Sequence, residues 1–362
     1  MKNKFILGLD IGGANTKAAL VEFYNSKIIH SFSYIEYFPF WENTLNDIPN
    51  MFKRIVENLI IKNNLKLDDI NYIAITITAE LSDAFQTKQE GIFTILNALD
   101  QVFEKGKLFF VNNKKEFISF NQAKTDPISV AAANWVSTSL FLGRYVPNCV
   151  LIDAGSTTID IIPILNSVPV AKGENDIERI ISHELVYTGG LRATIPSITH
   201  FVPYKGKMVR ISFEKFALIS DVHRVLKNIS EAEYINDTAD NRSKSLNNCY
   251  ARLARMICMD LDSISIKDLD LIAQYIYNKQ IKIVLKEFLE FLKGLTARYP
   301  VFNRNPRFVL TGLSADFLIK PALKELGYEK ILNYELITNI PDNISSSAFA
   351  VAGAYYFQSI KN

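Results

Sequence analysis

One pattern occurs twice in this chain, about 140 residues apart. The first copy, LGLDIGGANTKAAL, covers 7–20, and the second, CVLIDAGSTTIDIIPIL, covers 149–165. Aligned without a gap, Asp10 matches Asp153 and Gly12 matches Gly155. The turn residues Gly13, Ala14 and Asn15 match Ser156, Thr157 and Thr158. Each copy is an apolar run ending in an aspartate, a tight small-residue turn and a second apolar run. That order reads as strand, turn, strand. A single such hairpin is ordinary. The same hairpin twice, at a spacing far too long for a solenoid, points to two similar lobes. The phosphate patterns that open a helix, G-x-x-x-x-G-K and G-x-G-x-x-G, are absent.

The segments around the repeat fit that division. Three strands are expected over roughly 4–38, a helix over 43–63, a strand at 70–78, a helix near 90–104 and a strand at 107–111. The small-residue run ISVAAANWVSTSLFL (128–142) reads as a tightly packing helix, and so does SSSAFAVAGAYYF (345–357). Residues 1–145 are therefore assigned to a first lobe and 146–362 to a second. Within the second, about 174–300 forms a mainly helical insertion, with helices near 214–227, 243–260 and 267–297, and 345–357 is a connecting helix. Alternating strands and helices imply a mixed sheet with helices on its faces, an α/β fold.

Composition excludes some partners. A net charge of +2 over 362 residues gives no bulk electrostatic case for nucleic acid or an anionic membrane surface. No apolar stretch reaches the roughly 20 residues of a membrane span. The N-terminal apolar run is too short for a signal peptide. Cys149, Cys249 and Cys258 form no C-x-x-C pair, so neither a disulfide framework nor a zinc site is indicated, and a cytoplasmic setting is expected.

The residues themselves suggest a phosphate site. Backbone N–H groups of Gly12, Gly13, Ala14 and Asn15, and of Gly155, Ser156, Thr157 and Thr158, can form anion nests across a cleft. Asp10 and Asp153 at the strand ends suit Mg²⁺, often through water, although turn capping is the plainer role for each. Lys17 reaches a phosphate, pairs with an aspartate or is simply exposed. Thr16 has weaker claims. Glu80 lies just beyond the buried strand at 70–78, where open α/β sheets place ligands, and is the candidate general base. Asp83 follows on the same loop, while Lys88 and Glu90 read as surface residues. The loop ELVYTGGLR offers Tyr187, Thr188 and Arg192, the last as a clamp for a carboxylate or phosphate or as a structural ion pair. Asn134 and Trp135 line the cleft or pack. His183, His200 and His223 show no ligand spacing.

Taken together, the two hairpins and VLTGLSADFL (309–318) resemble the superfamily of acetate and sugar kinases, heat-shock ATPases and actin. The resemblance implies two ribonuclease H-like lobes, two phosphate segments and an adenosine segment at 309–318 around Gly312 and Ser314. It implies connecting helices at 128–142 and 345–357. Four further strings narrow it: ITAELSDAFQTKQEG (77–91), AAANWVSTS (131–139), ELVYTGGLRATIP (184–196) and ARLARMICMD (251–260). They look like one branch, the methanofuran-biosynthesis synthase family, once labelled hydantoinase-like. Two places depart from its pattern: His183 stands where a glycine is expected, and Gly190 lies between the Tyr-Thr-Gly element and Leu191-Arg192. What the resemblance implies is an ether-forming transferase with Mg²⁺ as cofactor. The phenol of γ-glutamyltyramine would displace pyrophosphate from the diphosphate of 5-(aminomethyl)furan-3-methanol. Two other readings stay open. One is an ATP-dependent kinase or ATP-coupled amidohydrolase of the same fold, and the other a nucleotide-switched binding or filament protein.

Overall fold

The computed structural model describes residues 3–303, 306–340 and 346–360. The chain divides into two compact units. One comprises Met1–Cys149, Ile162–Glu178 and Asn333–Asn362, and the other Val150–Ile161 and Arg179–Leu332.

In the first unit the opening hairpin is strand β1 (Lys4–Ile11) and strand β2 (Asn15–Tyr24), followed by β3 (Lys27–Tyr37). The later strands are β4 (Ile70–Ile77), β5 (Leu108–Val111) and β6 (Phe117–Ser119). They form a six-stranded sheet in the order β3-β2-β1-β4-β5-β6. β1 is antiparallel to β2 and parallel to β4, so both of its edges are occupied. It is buried from Ile6 onward, as expected for a central strand that reads FILGL. The helix Ile48–Leu59 lays Ile48, Met51, Phe52, Ile55 and Leu59 into the core at helical spacing.

The C-terminal helix Ser346–Tyr355 also belongs to this unit, and every residue in it is buried. Its small side chains are the reason it fits. A Cβ on Gly8 of β1 would come 2.0 Å from the Ala348 carbonyl oxygen, so helix backbone and strand backbone touch. A Cβ on Gly353 would lie 2.3 Å from the Phe141 ring, which seats the helix Asn134–Gly143 on the same element. Position 345, where the sequence places the start of the C-terminal helix, lies outside the described residues.

The helix expected over 128–142 begins only at Asn134. Residues Pro127–Val130 make a separate short turn, and Ala132 takes a left-handed φ of 50°. The cause is β4: Ala131 bridges Ile77, and the Ala132 N–H donates to the Ile77 carbonyl at 3.0 Å. Those residues complete the sheet instead of a helix.

The second copy of the hairpin is β7 (Cys149–Ala154) and β8 (Ile159–Leu165). The short β9 (Val168–Pro169) pairs β8, as does β10 (Leu185–Val186). After these come the hairpin β11 (Phe201–Tyr204) and β12 (Lys207–Arg210), then β13 (Phe308–Thr311) and β14 (Ile331–Asn333). The second sheet runs β10-β8-β7-β13-β14, with β13 parallel to β7. Between β10 and β13 the chain is mainly helical: Ile219–Val225, Leu246–Arg255 and the 33-residue Ile266–Arg298. The long helix is capped by Ser265, whose hydroxyl accepts from the Asp268 N–H. It buries Leu269, Ile272, Ala273 and Ile276 in a core shared with Leu191, Val202, Val222 and Leu253.

The β11–β12 hairpin is not among the strands expected from sequence. Its turn is Lys205-Gly206, at φ 45° and 75°, which matches the two-residue turn that suits twisted strands. Lys-Gly is a weaker turn signal than Asn-Gly, and Pro203 breaks the alternation.

Candidate functional site

The first turn has the shape its residues imply. The Gly12 N–H donates to the Asn15 carbonyl at 3.1 Å and closes the hairpin. A Cβ at Gly12 would lie 2.7 Å from that same oxygen, so the glycine is a steric requirement. The carbonyls of Gly13 and Ala14 accept from the N–H groups of Phe40 and Phe38. The N–H groups of Gly13 and Ala14 donate to no protein group among the described residues. They are half-buried and available to an anion.

Asp10 sits in register with Lys17 on β2 and Thr76 on β4. Its Oδ2 lies 3.6 Å from Lys17 Nζ and accepts a hydrogen bond from the Ser347 hydroxyl on the C-terminal helix. Its Oδ1 is buried and has no hydrogen-bond partner among the described residues, and neither has Thr76 Oγ1. Buried polar atoms without partners are costly and mark places where a ligand or water belongs. Thr16, by contrast, points inward and donates to Met51 Sδ at 3.4 Å.

Glu80 is the second concentration of unmet polarity. It lies just past β4, almost fully buried, and neither carboxylate oxygen has a hydrogen-bond partner among the described residues. Burial pushes its pKa up to about 7. Asp176 nearby raises it further, while Lys88 and the N–H groups of Glu80 and Ala132 pull it partly back. The Ala132 N–H itself is committed to Ile77. Lys88, expected at the surface, is half-buried with Nζ 3.7 Å from Asp176 Oδ2, so it contributes to the field on Glu80. Gly91 fixes the loop's approach, since a Cβ there would meet Glu80 Cα and the Phe85 ring at 2.9 Å. Glu90 accepts from the Gln86 N–H, and its own N–H donates to the capping hydroxyl of Thr87 at 3.1 Å. Asp83 is exposed.

The second turn repeats the first and is braced differently. The Gly155 N–H donates to the Thr158 carbonyl at 2.9 Å, the counterpart of the Gly12 bond. A Cβ at Gly155 would meet nothing closer than 3.7 Å. The loop 189–192 supplies four N–H donors: Gly189 to Thr157, Gly190 to Gly155, and Leu191 and Arg192 to Ser156. Gly189 must be glycine, because a Cβ would lie 2.6 Å from the backbone of Ser156 and Thr157. The N–H groups of Ser156 and Thr157 stay uncommitted among the described residues, as at the first turn. Gly312, at φ 90°, follows β13, and a Cβ there would lie 2.5 Å from the Ala154 oxygen and 2.7 Å from Asp153 Oδ1. The Ser314 hydroxyl donates to the carbonyls of Ala154 and Gly155. Its role is to brace the turn.

One residue that the sequence does not single out holds this loop. Gln280, buried in the long helix, donates from Nε2 to Thr188 Oγ1 at 3.2 Å and to the Gly189 carbonyl at 3.1 Å. Its Oε1 pairs with His223 Nε2 at 3.0 Å. His223 is fully buried, and burial lowers its pKa to about 4. Arg179, also buried, pairs with Asp160 at 2.8 Å. Its place in the primary pattern carries no sign of this, because Asp160 aligns with Lys17 and reverses the charge. His183 adopts φ 59°, which explains why a glycine is the residue expected there.

Among the remaining expected residues, Thr188 is buried and serves as an acceptor for Gln280. Tyr187 is 57% exposed, and Arg192 is exposed. Trp135 is buried. Asn134 is half-buried, and its carbonyl accepts from the hydroxyls of Ser137 and Thr138. Among the described residues there is no cluster of three or more carboxylate, histidine or cysteine side chains of metal-holding geometry. No helix is long and apolar enough to cross a membrane, among the described residues.

Residues 71–358 match the family model described as hydantoinase/oxoprolinase. The chain belongs to that family. It is 33% identical, over 96% of both chains, to (4-{4-[2-(gamma-L-glutamylamino)ethyl]phenoxymethyl}furan-2-yl)methanamine synthase of Methanocaldococcus jannaschii. A protein of the same name from Methanococcus vannielii is 36% identical over 179 residues, 49% of this chain and 76% of that one. Kinship with these methanofuran-biosynthesis synthases is what the four strings at 77–91, 131–139, 184–196 and 251–260 anticipate. Among solved structures, nucleotide-free acetone carboxylase matches with a TM-score of 0.53 at 13% identity, over 97% of this chain and 70% of that one. That likeness concerns the fold alone. The α/β architecture with its repeated hairpin is the fold that the opening repeat implies.

Proposed function

We propose that this chain catalyses the ether-forming step named for its archaeal relatives. The phenol oxygen of γ-glutamyltyramine attacks the CH₂ of the diphosphate of 5-(aminomethyl)furan-3-methanol. The C–O bond to the diphosphate breaks, the aryl alkyl ether forms, pyrophosphate leaves, and the phenol proton goes to a base. The observation that carries this reading is the 33% identity to a synthase of that name across nearly the full length of both chains. The name itself describes a phenoxymethyl link to a furan.

Each part of the step has a matching group. A phenol of pKa ~10 is a weak nucleophile at neutral pH until its proton is taken. Glu80 suits that role: its carboxylate is buried without hydrogen-bond partners among the described residues, and its pKa of about 7 lets it accept a proton near neutrality. The N–H groups of Gly13 and Ala14 and the Lys17 ammonium suit a diphosphate oxygen. The turn at Gly155, Ser156, Thr157 and Thr158 offers the same donors in its own unit, with Asp153 beside it. Asp10 fits Mg²⁺, because Lys17 and Ser347 occupy Oδ2 and leave Oδ1 unpartnered. An ion that keeps most of its water and binds substrate phosphate needs only one or two protein carboxylates. Such an ion would stabilise the charge that develops on the leaving oxygens. Ser347 acts as a positioning residue for Asp10. Arg192 suits the α-carboxylate of γ-glutamyltyramine, with Tyr187, Thr188, Asn134, Asp83 and Gly312 as further substrate-side residues.

The test is product formation. Purified protein is incubated with Mg²⁺, γ-glutamyltyramine and the furan diphosphate, without ATP. Pyrophosphate release that depends on the tyramine compound, with the ether detected by mass, is the expected result. No ether, but ADP once ATP is supplied, would instead favour an ATP-dependent kinase or amidohydrolase of the same family.

A further inference from the structure

Beside the first turn stands an aromatic side chain that the transfer step has so far left unused. Trp41 follows β3 and is 39% exposed, although tryptophan is highly buried on average. Its backbone is tied to the turn. The N–H groups of Phe38 and Phe40 donate to the carbonyls of Ala14 and Gly13 at 2.9 and 3.0 Å. Both of those rings are buried and meet edge to face at 5.3 Å, which anchors the segment in the core of the first unit. A tight turn comes next. The Glu42 N–H donates to the Pro39 carbonyl at 3.1 Å, and the Asn43 side-chain amide donates to the same oxygen at 2.7 Å. Trp41 stands inside that turn, and its indole Nε1 donates to Glu42 Oε1 at 3.2 Å, which orients the ring.

Gly13 shows where the ring lies. A Cβ there would be 4.0 Å from Trp41 Cζ3 and 3.8 Å from Ser82 Cβ. The benzo edge of the indole and the loop just after Glu80 therefore both border the space over Gly13. The furan diphosphate has a matching group, because only a CH₂ joins its ring to the ester oxygen. With the diphosphate on the N–H groups of Gly13 and Ala14, the furan ring comes within reach of what borders Gly13. As the C–O bond breaks, its electron pair leaves with pyrophosphate, and positive charge spreads from the CH₂ into the furan. An aromatic face attracts such charge, and an indole does so more strongly than a phenyl ring. The attraction grows toward the transition state, so it raises the rate as well as the affinity.

We propose, on the transfer reading above, that Trp41 is a catalytic and specificity residue of the furan side. Its indole face stacks on the furan ring while the first turn holds the diphosphate.

The test is steady-state ether formation by the full-length protein, with each substrate varied in turn, in wild type, Trp41→Leu and Trp41→Phe. Far-UV circular dichroism confirms folding. Trp41→Leu keeps an apolar side chain and loses the ring. Its kcat/KM for the furan diphosphate should fall at least ~10-fold, with kcat sharing in the loss. Trp41→Phe should stay within about 3-fold of wild type. Neither variant should move the KM for γ-glutamyltyramine or the inhibition by inorganic pyrophosphate, which has no ring. Rates in Trp41→Leu equal to those of wild type, or equal to those of Trp41→Phe, overturn the proposal. So does a loss confined to the KM for γ-glutamyltyramine, or one matched by an equal loss of pyrophosphate inhibition, since the ring would then only shape the turn. A wild type that makes no ether overturns the transfer reading itself, and this proposal with it.

Discussion

The two copies of the hairpin start from the same template and end in different circumstances. At Gly155 the turn is tied down by four N–H donors from 189–192, by Ser314 and by the tight seat of Gly312, and Gln280 holds the bracing loop. At Gly12 the turn is steric and compact, but its neighbourhood is left unfinished. Asp10 Oδ1, Thr76 Oγ1 and both oxygens of Glu80 are buried without hydrogen-bond partners among the described residues. A rigid turn presents fixed N–H dipoles, which suits holding an anion. Buried acids with unmet polarity suit chemistry, since such groups mark places where a ligand or water belongs. The two scaffolds are similar, and they differ in what surrounds them: the second turn is braced, and the first has buried acids beside it.

The sharpest way to break this comparison is at Gly312. Alanine there must adopt φ 90° with its Cβ against the Ala154 oxygen. A loss of roughly 2–5 kcal/mol is expected in urea unfolding. Unchanged stability would mean that the second turn is not braced through this contact.

A comparable effect belongs to Glu80 and to pH. Its folded pKa of about 7 lies above the ordinary 4.5, so the folded state holds the proton more tightly than the unfolded chain. The resulting stabilisation is fully present below pH ~4.5 and is lost as pH rises through about 7, on the order of 3 kcal/mol. Glu80→Gln should flatten that part of the profile, as read by chemical denaturation at a series of pH values. His223 runs the other way. It is held neutral, so its contribution is present above pH ~6.5 and falls as pH drops toward about 4.

Next comes the pair of turn glycines. Gly12→Ala should cost about 1–3 kcal/mol and most of the activity, because its Cβ meets the Asn15 oxygen at 2.7 Å. Gly155→Ala meets only an ordinary contact and should stay within about 0.5 kcal/mol of wild type. Equal effects at both positions would erase the difference between the turns. The smallest effect is expected from Asp83→Ala, an exposed change within about 0.5 kcal/mol in a thermal melt.

How much of this is visible in the chain follows the range of the interaction. The hairpins, Gly12, Glu80 at a strand end and the small-residue C-terminal helix are local patterns, and each stands where its residues suggest. Ser347 reaches Asp10 across 337 positions, and Gln280 reaches Thr188 across 92. No local period marks either, since a serine in a small-residue helix and a glutamine in a long amphipathic one look ordinary. The break before Asn134 is missed for the same reason. Alanines at 131–133 favour a helix locally, and pairing with Ile77 overrides them. Lys88 reads as a surface lysine until Asp176 is seen beside it.

The claim at the centre of the account is that Glu80 takes the phenol proton. Single-turnover ether formation, followed across pH in wild type and Glu80→Gln at saturating substrates, tests it most directly. The account predicts a wild-type rate that rises with pH to a plateau above about 7, and a Glu80→Gln rate at least ~100-fold lower with that rise gone. A folded Glu80→Gln protein that keeps the wild-type rate and the same pH profile would contradict it.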